Sequence, residues 1–194
     1  MNQEIWVVCD ENPEENAAVS LGMLTKAGEL RKQSGCRTTA VCFGRQMQES
    51  MEELFYYGAE RVLHINHEQT GTEAQCRFLC EAIKHYNPRM IMFPASEYGR
   101  RMASYTSVEF EAGLTAECIE IGIGRDGRFE YSRAAINSSA IATIQCINSD
   151  IELCTVKENI FIPQRLSVPC QGEIEEFRSK DTAADILSDK ITVM

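Results

Sequence analysis

The chain has 194 residues, 44% of them hydrophobic and 25% charged, and its 19 Lys and Arg stand against 29 Asp and Glu for a net charge of −10. At this length about 70% of the unfolded surface can be buried, so a core can hold the chain without a metal or disulfide framework. The composition excludes a disordered or fibrous protein, and the acidic balance argues against a nucleic-acid partner, which requires a basic stripe. No stretch approaches about 18 uninterrupted apolar residues and no basic leader opens the chain, so neither membrane insertion nor secretion is predicted. The Cys residues stand at 9, 36, 42, 76, 80, 118, 146, 154 and 170, an odd number with no C-x-x-C spacing. That pattern reads as reduced thiols of a cytoplasmic protein, serving as small core hydrophobes.

Along the first half one grammar repeats: a short apolar run, then a segment with helical spacing. Ile5–Cys9 runs into Asp10, and from Pro13 onward Ala17, Leu21, Leu24 and Gly28 share a face. Thr38–Phe43 leads through Gly44 to Met47, Met51, Leu54 and Phe55 on another face. Arg61–Ile65 precedes a helical pattern with Cys76, Leu79, Cys80 and Ile83 that stops before Pro88. Met90–Phe93 is a fourth strand, followed by a helix that begins near Ser96 or Glu97 and ends at Gly113. Apolar strands alternating with amphipathic helices predict a three-layer α/β, Rossmann-like parallel sheet with helices on both faces.

After Gly113 strands follow one another directly: Leu114–Ile121, Arg128–Ile136, Ser139–Ile147 and Glu152–Val156. Turns are expected at Gly124–Gly127, Asn137-Ser138 and Asn148–Asp150. This tail extends the parallel sheet with one strand and adds a C-terminal antiparallel β meander. Beyond Pro163 the pattern loosens, and Gly172–Phe177 reads as a strand leaving the body of the domain, its charge run Glu173–Glu176 a solvated face. The apolar Ile191–Met194 is either an edge strand tucked onto the domain or the place where a longer polypeptide was cut.

Ligands of open parallel sheets bind beyond the carboxyl ends of the strands. That places candidates at Asp10-Glu11-Asn12, Gly44-Arg45 and Ser96–Arg101, the last offering amides, a hydroxyl and two guanidinium groups at a helix N-terminus. No G-x-G-x-x-G or G-x-x-x-x-G-K-[ST] accompanies them, so a capped helix competes with an anion site there. His64 and His67 have a metal-ligand spacing without Cys or carboxylates to complete a sphere, so no metal is expected. His85 suits the end of a helix, and Cys76 and Cys80 suit its packed face. No nucleophile elbow or marked base is present, and catalytic residues are expected to be absent.

Phe93-Pro94-Ala95-Ser96-Glu97-Tyr98-Gly99-Arg100, followed by Ala112-Gly113-Leu114-Thr115-Ala116-Glu117-Cys118-Ile119-Glu120-Ile121, resembles the alpha subunit of electron transfer flavoproteins. The resemblance extends through Tyr57–Val62, Ser132–Ala135, Ala140–Ile144 and Cys154–Lys157, covering about residues 4 to 162. Arg101 departs from the family's Asp after Gly-Arg, Asn137–Ser139 from a Gly-rich turn, and Lys157–Asn159 from Arg-Pro-Gly. The resemblance implies an N-terminal domain over 1–163 and a connecting segment over 164–194 towards a FAD-binding domain outside this chain. It implies FAD held mainly by that second domain, with none in this chain, and no catalytic residues of its own. The implied partners are an electron transfer flavoprotein beta subunit, with which it forms a heterodimer, and a redox partner dehydrogenase or oxidoreductase. The alternative is a stand-alone adenine-nucleotide-binding domain of the same fold, its site at Ser96, Gly99 and Arg100.

Overall fold

The computed structural model describes residues 4–10, 13–44, 48–65, 71–135, 140–147 and 149–178. The elements, in chain order, are β1 (Glu4–Val8), α1 (Pro13–Ser34), β2 (Arg37–Phe43), α2 (Gln48–Glu53), β3 (Arg61–Ile65), α3 (Thr72–Tyr86), β4 (Met90–Pro94) and α4 (Glu97–Glu109). Then come β5 (Leu114–Ile123), β6 (Phe129–Ala135), β7 (Ala140–Ile144), β8 (Glu152–Val156) and β9 (Glu173–Phe177). A 3-10 turn, Leu54–Tyr57, continues α2 and stops at Gly58 with φ near +109°. Any other side chain there would be strained.

One sheet carries the nine strands of the described residues in the order β7-β6-β5-β8-β4-β1-β2-β3-β9. β3, β2, β1, β4, β8 and β5 run parallel, and β6 and β7 fold back antiparallel. Two cores lie on the two faces: one beneath α1 with Met23, Leu24, Ala27 and Leu30, the other beneath α3 and α4 with Phe78, Leu79, Ile83 and Met102. Every residue of β1, β4 and β8 is buried, which is why Ile5–Val8 and β4 read as unbroken apolar runs, while Glu4 and Glu152 are buried with hydrogen-bond partners.

On the meander side the parallel array is extended by two strands, β8 and β5, rather than one. β5 leaves a place empty beside β4, and β8 returns from the meander to fill it, pairing Ile91 with Leu153 and Leu114 with Leu153. The predicted turn at Gly124–Gly127 is present, with Gly127 at φ near +78° and its N–H donating to the Gly124 carbonyl at 2.9 Å. α4 ends at Glu109, four residues before Gly113. Met47, Asn137, Ser138, Ser139, Asn148 and the stretch 183–194 lie outside the described residues.

β9 does not leave the body of the domain: it joins the far edge of the sheet, parallel to β3, with Arg61 opposite Glu173 and Ile65 opposite Phe177. The physical reason is a buried cation. Arg61, 4% exposed, donates to Glu4 Oε2 at 2.5 Å and to Glu175 Oε2 at 3.1 Å, and its guanidinium lies 4.4 Å from the Tyr86 ring centre. Glu4 Oε2 also accepts from Trp6 Nε1 at 2.7 Å and Thr39 Oγ1 at 3.2 Å, and Tyr86 donates its hydroxyl to Glu175. Between β8 and β9 the chain crosses the α1 side. The Leu166 and Cys170 amides donate to the Tyr56 and Phe55 carbonyls, and Arg165 grips Glu53 at 2.9 Å while lying over Tyr56.

Candidate functional site

The chain builds β1, β2 and β3 outward in one direction, then returns to place β4 on the other side of β1. The strand order therefore reverses between β1 and β4, where an open α/β sheet splays its carboxyl ends into a crevice. Asp10 follows β1 and Ser96 follows β4, so the topology alone puts these two residues face to face. Ser96 Oγ donates to Asp10 Oδ2 at 2.6 Å and accepts the Gly99 amide at 3.2 Å as the N-cap of α4. The Asp10 amide donates to Ser20 Oγ of α1 at 3.1 Å, and Asp10 is only 5% exposed.

Gly99 has a second reason to be glycine: a Cβ there would stand 2.0 Å from the Pro94 carbonyl oxygen, an overlap with backbone that α4 could relieve only by moving. Arg100 pairs with Glu117 of β5 at 2.9 Å, and Arg101 pairs along the helix with Glu97 at 2.5 Å. Glu117 lies in a β-bulge at φ near +56°, its amide donating to Thr155 Oγ1 of β8 at 2.8 Å. Three of the segments carrying the family resemblance, Phe93–Arg100, Ala112–Ile121 and Cys154–Lys157, thus meet in one place, with Pro94 against Gly99 and Arg100 joined through Glu117 to Thr155. Their spacing serves packing and a bulge as much as any ligand.

Of the proposed nucleotide residues, Ser96 and Gly99 bond to each other beside Asp10, and Arg100 is paired with Glu117. The donor set there does not suit the phosphate of a flavin or an adenine nucleotide. Ser96 Oγ is already engaged with both Asp10 and the Gly99 amide, and the buried carboxylate of Asp10 beside it would repel an anion. Glu11, Asn12, Arg45 and His67 fall outside the described residues.

His64 Nε2 lies 2.5 Å from the Gly44 carbonyl oxygen, a hydrogen bond between neighbouring strand ends. Among the described residues no group of three or more His, Cys, Asp or Glu side chains could hold a metal ion. His85 sits in the last turn of α3 with its ring edge-on to Tyr86. All nine Cys are free thiols and seven are buried. Cys76 and Cys80 pack under α3, where burial pushes their thiols up to about 11 and about 12, so both stay protonated at neutral pH. No described helix is long and apolar enough to cross a membrane.

The family model described as the electron transfer flavoprotein domain matches residues 5–182. The chain belongs to the electron transfer flavoprotein family. It is 27% identical over 188 residues to the electron transfer flavoprotein subunit alpha of Clostridium acetobutylicum, covering 94% of this chain and 56% of that protein. The alpha subunit of Megasphaera elsdenii is 23% identical over 188 residues, with 95% and 56% covered. The acryloyl-CoA reductase electron transfer subunit beta of Anaerotignum propionicum is 24% identical over 124 residues, 62% of this chain and 34% of that one. The chain thus spans about half the length of the alpha subunits it matches, as an N-terminal domain of such a subunit does.

Within this flavoprotein family, sequence reasoning found Asp10 and Ser96 but missed Ser20, Glu117 and Thr155. Ser20 lies on a helix with no feature to single it out. The bulge left a trace, since the polar Glu117 breaks the apolar run Leu114–Ile121, but bulge and solvent-facing position look alike in sequence.

Proposed function

We propose that this chain is a supporting domain of an electron transfer flavoprotein of the alpha type, docking a beta subunit and contributing to electron transfer by position. The observation that carries the reading is the family match across residues 5–182, joined to a sheet whose switch-point crevice is closed by its own side chains. In this reading FAD is bound outside this chain, and residues 164–194 connect towards the part that binds it. The first part of that segment, to residue 178, is fastened to the sheet through β9. No side chain of the domain is assigned a catalytic role, and the redox partner is a dehydrogenase or oxidoreductase met by the assembled protein. A cytoplasmic setting accords with nine free thiols.

Co-expression of this chain with the beta subunit of the same organism tests the reading. A stable one-to-one complex is expected, and this chain purified by itself is expected to lack flavin absorbance. Stoichiometric flavin on the isolated chain would overturn the placement of FAD. The adenine-nucleotide alternative at Ser96, Gly99 and Arg100 has less support, because Asp10 holds Ser96 and Glu117 holds Arg100. Calorimetric titration with AMP distinguishes the two: heat of binding that disappears in Arg100→Ala, a change at an exposed side chain, would favour the nucleotide site.

A further inference from the structure

We propose that Trp6 and Tyr86 form a relay that carries a one-electron oxidising equivalent out of the core to the surface beside β9. This protective function goes beyond the docking reading and does not depend on where FAD is bound.

The two rings are the first observation. Trp6, the single tryptophan of the chain, is fully buried on β1. Its ring stands edge-on to that of Tyr86, 5.9 Å between centres, and Tyr86 in the last turn of α3 is half-buried, so the pair joins the interior to solvent. Indole and phenol are among the side chains that give up one electron most readily. The second observation is that each ring already has its proton acceptor. Trp6 Nε1 donates to Glu4 Oε2 at 2.7 Å, and the Tyr86 hydroxyl donates to Glu175 Oε1. The Arg61 guanidinium, 4.4 Å from the Tyr86 ring centre, opposes a positively charged radical there. Tyr86 can therefore yield its electron only together with its proton, and Glu175 is placed to take that proton.

The oxidant is an oxygen-centred radical, which takes one electron from Trp6 and is itself reduced, while the indole proton shifts along its hydrogen bond to Glu4. One electron then crosses from Tyr86 to Trp6. The indole recovers its proton from Glu4, the phenol proton passes to Glu175, and a neutral tyrosyl radical is left at the surface. A thiolate in solution returns the electron and becomes a thiyl radical, and Glu175 returns the proton. Only electrons move between molecules or rings, and each proton stays within its own hydrogen bond. The benefit lies in what Trp6 shares its core with: Cys76 and Met102, whose sulfur atoms are 3.4 Å apart. Oxidation of either would force oxygen into close packing.

The test follows the electron in the full chain by laser flash photolysis. A flash at the red edge of the indole band, with an electron scavenger present, ionises Trp6 selectively because the chain has one tryptophan. The tryptophanyl absorption is expected to decay into a tyrosyl band at a rate independent of protein concentration. In Tyr86→Phe the tryptophanyl radical is expected to live about tenfold longer or more, and Glu175→Gln should slow the conversion about tenfold by removing the proton acceptor. Tyr105→Phe, at a partly exposed position on α4, is expected to leave the decay within about twofold. Circular dichroism melts establish that the variants fold. On the unsubstituted chain, a spin-trap adduct mapped by mass spectrometry is expected at Tyr86. An unchanged tryptophanyl lifetime in Tyr86→Phe, or adducts confined to other residues, overturns the relay. An unchanged rate in Glu175→Gln overturns the role of Glu175 as proton acceptor.

Discussion

The two edges of the sheet are built on opposite principles. β9 carries Glu173, Glu175 and Glu176 and is fastened by ion pairs, Glu173 to Arg37 at 2.9 Å and Glu175 to Arg61 at 3.1 Å. β7 carries no charge and leaves its Ile side chains in solvent. Charges along an edge discourage a further strand, whereas an uncharged edge accepts one. Among the described residues one side of this domain is therefore finished and the other is open, although a single sheet runs through both.

The largest expected effect comes from cutting the tie that finishes the β9 edge. Arg61→Met would leave the Glu4 carboxylate buried without its cation, and a loss of about 3–5 kcal/mol in urea unfolding is expected. Gly172→Ala attacks the same edge through sterics. Its Cβ would stand 2.5 Å from the Phe55 ring and 2.6 Å from the Glu60 carbonyl oxygen, so about 1–3 kcal/mol should be lost.

Tyr86→Phe removes the hydroxyl donated to Glu175, at a cost of about 1 kcal/mol. Burial, then the hydrogen bond to Glu175, pushes the Tyr86 phenol up to about 12. The protonated phenol is thus favoured by the fold, and its contribution is complete below the ordinary tyrosine range near 10 and fades as pH rises towards 12. Unfolding midpoints of the native chain should fall across that alkaline window more steeply than those of Tyr86→Phe.

On the meander side, Glu152 of β8 shows how a buried carboxylate fares without a cation at 2.5 Å. Burial raises its acid above the ordinary range, opposed by the hydroxyl of Tyr131 at 3.0 Å and by Arg89 and Arg128. A raised acid contributes its stability at low pH and loses it as pH climbs through the shifted value. Glu152→Gln should therefore gain stability relative to the native chain between about pH 4 and pH 7, measured by melts at both. The smallest effect belongs to the open edge: Ile141→Lys should change stability by no more than about 0.5 kcal/mol, since the side chain packs against neither core.

Much of the fold was legible because burial on both faces leaves a plain mark. β1 to β4 read as apolar runs and α3 as a stripe of Cys76, Leu79, Cys80 and Ile83, and the structure places them so. β9 was legible as a strand, but its place at the edge beside β3 was not, for the converse reason. A strand rich in Glu looks solvated until Arg61 and Arg37, more than a hundred residues away, are brought opposite it. Half of the crevice could be read, since Asp10 and Ser96 each follow an apolar strand. That they bond to each other depended on β4 returning to the side of β1.

The sequence by itself determined the period of each segment, the alternation of strand and helix, the family, and the free-thiol chemistry of the cysteines. These follow from side-chain burial and local spacing, which are written residue by residue. Only the tertiary structure decided that β8 slips between β4 and β5, that Arg61 reaches both Glu4 and Glu175, and that the charge-free stretch after Arg133 ends as an open edge. Strand order and long-range pairing are set by which distant surfaces fit together, and no local pattern records that.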